Sequence, residues 1–262
     1  MGTSGAQRSP HTPAWARVNA LYRDPSATPR TIASAIVAAL DEPTRAAMAG
    51  APVAACLGAL LQAAEETADQ GLPALLARYG APPGPPALAL AAAARAAARE
   101  AVLRGRQSSV FGHLALDATG TAALEAAAGP LGAEATDPFA ADEPSVQAAF
   151  SRYATGRDLG ELSGLFFGHD LGRALEHYVA RDLPQHVGTP EVPDARAAAL
   201  LSDRVGRHTR ETARRLALGG VEDELWRALR LDGERRSREL QGLAGEALGQ
   251  GLRLLEQGGV AP

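Results

Sequence analysis

Apolar positions recur every three to four residues along almost the whole chain, the period of helices that bury one face. Ile32, Ile36, Val37 and Leu40 share such a face in a segment opened by Thr28-Pro29, an N-cap followed by proline at the first helical position. Val53, Leu57, Leu60 and Leu61 line up over 52–68, and Leu240, Leu243, Leu248, Leu252 and Leu255 form a stripe over 234–256. The same spacing predicts helices over 14–22, 72–79, 87–104, 145–154, 158–183, 193–218 and 221–231. Residues 108–128 read as one or two more, with a break near Thr119-Gly120.

Proline and glycine mark the gaps between these segments. The run Pro82-Pro83-Gly84-Pro85-Pro86 cannot be helical and acts as a hinge. Pro184, Pro190 and Pro193 separate two long segments, and Gly219-Gly220 supplies a C-terminal stop. Residues 1–12 lack periodicity and read as a flexible tail. Residues 129–144 are polar, hold several acids and no base, and form the candidate boundary between helical regions at 13–128 and 145–258. The predicted fold is all-α, an irregular multi-helix bundle with a flexible N-terminal tail. No fixed-period repeat and no long heptad run is present.

Composition reinforces helix. Hydrophobic residues make up 46% of the 262, dominated by alanine and leucine, whereas aromatics are only 4%. All 26 basic residues are arginine, and the net charge of -4 argues against a chain whose main task is gripping a phosphate backbone. Nucleic acid is therefore not the expected partner. The one cysteine, Cys56, excludes an internal disulfide and a cysteine-based zinc site, and its apolar neighbours give it a buried, inert thiol. No uninterrupted run of 18 apolar residues and no secretory leader occurs, so the expectation is a cytoplasmic chain with no membrane span.

The sequence offers few chemical candidates. Gly156, Gly160, Gly164, Gly168 and Gly172 fall four residues apart. On a helix they make a slowly drifting bare stripe, and each interior glycine costs about 1 kcal/mol relative to alanine unless close packing compensates. Gly160, Gly164, Gly168 and Gly172 are thus candidate interface positions; the alternative is a helix that starts or breaks inside the ladder. His169, Arg173 and His177 follow one another at four-residue steps opposite Phe167, Leu171, Leu175 and Tyr178, and read as a solvated, charge-balanced face. Two histidines eight residues apart stand about 12 Å apart along a helix, too far to share a metal.

Arg181-Asp-Leu-Pro-Gln-His186 has the arginine-to-histidine spacing of the HEPN-type helical ribonucleases, which makes Arg181 and His186 the alternative catalytic pair. Pro184 inside it should end the helix before His186. Between Arg204 and Arg238 ten arginines face six acids, a possible phosphate-facing stripe or an ordinary salt-bridged surface. Gly249-Gln-Gly251 lies on a helix without a preceding strand, and no nucleophile elbow occurs, so no cofactor and no metal is expected. The overall expectation is that reactive side chains do not gather in one cleft.

The N-terminus adds a different kind of signal. Met1-Gly2-Thr3-Ser4 places a small residue second, so methionine removal would expose a glycine amine in a chain without lysine. Ala6 departs from the N-myristoylation pattern. This opening, with Thr12-Pro13-Ala14-Trp15 after it, resembles the start of the B component of the Qat anti-phage defence system. The likeness covers about the first fifteen residues. It implies a helical subunit encoded beside an ATPase, a QueC-like enzyme and a TatD-like nuclease, with Gly2 as a modification target of the QueC-like partner. Taken together, the sequence reads as a non-enzymatic helical adaptor or scaffold of a bacterial complex, working through protein partners.

Overall fold

Four helices in this protein start on a short polar cap followed within two residues by proline. The structure, a computed structural model, describes residues 12–105, 109–128, 140–154, 158–214 and 222–257. Thr12 caps α1 (Pro13–Leu21) by accepting the Trp15 amide, and Thr28 and Thr31 form a reciprocal capping box on α2 (Pro29–Ala39). The tripeptide Asp-Glu-Pro does the same work twice. Asp41 caps α3 (Glu42–Met48) through the Thr44 amide, and Asp142 caps α8 (Glu143–Ser151) through the Ser145 amide, each at 2.9 Å. These bonds favour the charged carboxylate and hold both aspartates below the ordinary value.

The remaining helices are α4 (Ala51–Gln70), α5 (Leu72–Arg78), α6 (Pro86–Arg104), α7 (Val110–Ala128), α9 (Asp158–Asp182), α10 (Ala195–Ala213), α11 (Glu222–Leu229) and α12 (Gly233–Glu256). Among the described residues no strand occurs, so the fold is all-α. The short α3 had no counterpart in the periodicity. The predicted break at Thr119-Gly120 does not occur; α7 runs through it unbroken. Thr119 is buried with its hydroxyl donating to the Ala115 carbonyl at 2.8 Å, and Gly120 lets the Ala91 carbonyl of α6 approach. Packing against α6 thereby compensates the local loss of helix propensity.

Two apolar clusters make up the interior. In one, alanines of α6 and α7 and leucines of α4 pack around Phe150, Tyr153, Phe166 and Phe167. The other gathers Trp15, Val18 and Tyr22 of α1, Ile32, Ile36 and Val37 of α2, and Leu248, Leu252 and Leu255 of α12. The long α9 joins them: Leu159, Leu162, Phe166 and Phe167 sit in the first cluster, Leu171, Leu175 and Val179 in the second. Helices from both sides of the 129–144 stretch contribute to both clusters. The segment Glu42–Gln70 is long and apolar enough to cross a membrane by mean hydropathy, 1.6, although no uninterrupted apolar run exists; 61% of its most apolar window is buried inside the molecule.

Candidate functional site

The glycines of α9 define where the site forms. Gly160, Gly164, Gly168 and Gly172 are all buried within an unbroken helix, while Gly156 and Gly2 lie outside the described residues. α10 packs antiparallel along this face. A Cβ on Gly168 would stand 3.4 Å from the Arg210 carbonyl and from Arg214 Cγ. One on Gly172 would stand 2.6 Å from Arg210 Cγ and 3.2 Å from the Gly206 carbonyl. On the facing helix, a Cβ on Gly206 would collide with the Glu176 carboxylate at 1.9 Å. The absent side chains therefore make room for arginine stems of α10 crossing α9, and for Glu176 crossing α10.

Those crossing side chains build two ionic nodes. At the first, His169 Nε2 lies 2.8 Å from Glu125 Oε2, and Arg214 donates to the same carboxylate oxygen. Glu125, on α7, is 3% exposed and His169 5% exposed. A carboxylate this deep is tolerable only when paired and hydrogen-bonded, and three helices converge to pair it. At the second node Glu176 is shared: Arg210 Nη1 donates to Oε1 at 2.8 Å and Arg173 Nη1 to Oε2 at 3.3 Å.

The nodes line one end of a cleft of about 1110 Å³ between α9 and α10. Its polar end holds His169, Arg173, Glu176, Arg207, Arg210 and Arg214; its other end is walled by Leu183, Pro184, Val187, Ala195, Ala198 and Ala199. From His169 to Leu183 the trough runs roughly 20 Å at the rise of a helix. It is polar at one end and apolar at the other.

Two expectations need correction here. His169 is not part of a solvated face: it is buried and paired with Glu125 of α7, and α10 comes close at the neighbouring Gly168 and Gly172. Histidine, arginine and carboxylate groups do converge within bonding reach beside a cleft, against the expectation that none would. Glu125 and Arg210 had escaped notice in the sequence. The usable signal for Glu125 was a lone charge inside the apolar run Ala122-Ala-Leu-Glu-Ala-Ala-Ala128.

Arg181 and His186 make different hydrogen bonds, although Asp182 and Tyr22 lie near both. α9 ends at Asp182 and a 3-10 turn covers Leu183–His186, as Pro184 requires. Arg181 binds Asp182 through Nε at 2.7 Å and Nη2 at 3.2 Å, with its guanidinium over Trp15 and Tyr178. His186 accepts from Arg23 Nε at Nδ1, 3.2 Å, and its Nε2 donates to Asn19 Oδ1 at 3.0 Å. Burial, helped by the Arg23 charge, lowers the His186 pKa and favours this neutral form. Both ring nitrogens are thus occupied by structural partners.

Of the basic stretch, Arg207 pairs with Asp203 of its own helix at 2.6 Å, Arg210 with Glu176 of α9 and Arg230 with Glu65 of α4 at 3.5 Å, so these three arginines have acidic partners. Cys56 is buried against Thr119, and burial, with Asp170 adding to it, pushes its thiol up to about 12. Among the described residues no group of three or more His, Cys, Asp or Glu is placed to hold a metal ion. Compared with models of known protein families, with curated proteins and with solved structures, the chain matches none.

Proposed function

We propose that this chain is a non-enzymatic adaptor or scaffold subunit of a bacterial complex, which holds a segment of a partner protein in the α9–α10 trough. The observation that carries the reading is the trough itself, an open cleft whose apolar half is contiguous with a network of mutually paired charges. Because nearly every arginine there already has an acid, the surface favours a partner of mixed apolar and charged character over a polyanion. The N-terminal likeness supports phage defence as the setting and a QueC-like enzyme as a partner acting on Gly2. Thr12 and the buried Trp15 anchor α1 directly after that terminus.

Co-expression with the genomic neighbours, affinity purification and intact mass spectrometry test this. The expected outcome is a co-purified protein, lost on Ala198→Arg, and a mass increment on the Gly2 terminus. A partner retained equally by the Ala198→Arg chain contradicts the trough, and an unmodified terminus contradicts the Gly2 role.

A second reading is favoured by one observation, the His169–Glu125–Arg214 convergence at the cleft. A helical nuclease would use His169 for proton transfer there, in place of His186. RNA cleavage by the purified chain that disappears in His169→Ala would support it, and no cleavage by the unaltered chain removes it.

A further inference from the structure

A histidine can accept at one ring nitrogen and donate at the other only while it is neutral. His186 is 2% exposed and gives both nitrogens to the end of α1: Nδ1 accepts from Arg23 Nε at 3.2 Å, and Nε2 donates to Asn19 Oδ1 at 3.0 Å. Asn19 lies in the last turn of α1 and Arg23 just beyond it. One imidazole therefore ties the end of the first helix to the 3-10 turn that follows α9. We infer that this contact is an acid-released latch, in which proton uptake by His186 frees the Asn19–Arg23 end of α1. The inference is independent of the adaptor reading.

A proton on Nδ1 sets an N–H against the Arg23 N–H and brings two positive charges to hydrogen-bond distance. Arg23 is exposed and can turn to water, which breaks the tie. Asp182, buried at the end of α9, pulls the other way, but both of its carboxylate oxygens already accept from Arg181. α10 also packs on this turn, and beside Leu183 and Pro184 it presents the uncharged Ala195, Ala198 and Ala199. The Tyr22 ring lies 5.4 Å from the imidazole, and its hydroxyl is buried without a hydrogen-bond partner among the described residues. That orphan oxygen is an acceptor toward which a protonated ring can turn, away from Arg23. Burial first, and the Arg23 charge second, lower the proton affinity of the latched imidazole. The latch is therefore fully closed above the ordinary histidine value, near ~6.5, and weakens as pH falls below it. Trp15, Val18 and Tyr22 fill the apolar core from this helix, so its loosened end bares the Tyr22 side of that face.

Amide hydrogen exchange on the full chain, corrected for the intrinsic rate at each pH, tests this directly. Between pH 7.5 and pH 5.5 protection at residues 19–24 should fall several-fold, up to the limit of about tenfold for one group titrating near ~6.5 in the open form. Protection in the core helix α4 should hold over the same range. His186→Gln, whose side chain does not titrate, should make protection at 19–24 independent of pH. His177→Gln, at the other histidine whose proton affinity burial lowers, should keep the response. Flat protection in the unaltered chain, an undiminished fall in His186→Gln, or a response lost in His177→Gln instead would each overturn the latch. If circular dichroism shows that His186→Gln does not fold, the imidazole nitrogen spectrum of the unaltered chain decides. A neutral ring protonated at Nε2 that titrates below the ordinary value supports the latch, and titration at or above that value overturns it.

Discussion

Glu125 shows how one side chain can fix the positions of three helices. It sits in the alanine-rich end of α7 and pairs with His169 of α9 and Arg214 beyond the end of α10. Replacing it by glutamine leaves Arg214 without its counter-charge, and breaking a buried pair from one side costs about 3 kcal/mol. Because Arg214 is a third exposed and can turn toward water, the loss should stay at or below that value. Denaturant titration of Glu125→Gln reads it as a lower midpoint with unchanged slope. A variant as stable as the parent would mean that the node does not bind the helices together.

Asp170 gives the complementary pH argument. Burial alone pushes its carboxyl up to about 8, against 3.8 for the free group. The folded state thus holds a proton that the unfolded state releases, and stability from this group is full below pH 3.8 and declines as pH rises toward 8. Asp170→Asn removes the penalty, so its stability gain over the parent should be small at pH 4 and grow steadily up to pH 8. A gain independent of pH, measured by melting curves across that range, would contradict the burial of an ionisable acid there. His177 and His186 act in the opposite sense, since burial lowers both, and acidification through 6.5 favours their unfolded forms.

Among the helices, α9 carries the largest share of the argument. Its Gly168 and Gly172 are costly in isolation and are offset by α10 lying against them. Gly168→Leu must push against the Arg210 carbonyl and the Arg214 stem, and overpacking of this kind costs roughly 1–3 kcal/mol. The prediction is a lowered melting temperature together with loss of trough-dependent binding. A normally stable Gly168→Leu chain would show that the two helices are not closely packed.

Helix α9 also shows how far the sequence could be read. Its extent and its end before Pro184, like the Thr28 cap of α2, follow from local rules, because caps and prolines act within a few residues. The short α3 was missed because seven residues give too little periodicity to register. The site was less legible. A helical wheel correctly put His169 and Arg173 opposite the apolar face, but a wheel cannot tell a face open to water from one covered by a second polar helix. Glu125 and Arg214 stand 89 residues apart, and it takes α9 packed against both α7 and α10 to bring them together.

At the scale of the molecule, two apolar clusters hold the helices and leave the α9–α10 trough open at the surface. The sharpest test of the account is site-specific photo-crosslinking in cells that carry the chain with its genomic neighbours. A benzophenone amino acid at Val187, on the trough wall and 44% exposed, is compared with one at Leu103, a more accessible position on α6 at 65% exposure. The account predicts a crosslinked partner protein from position 187 and none from position 103. Crosslinking from 103 with none from 187 would contradict it.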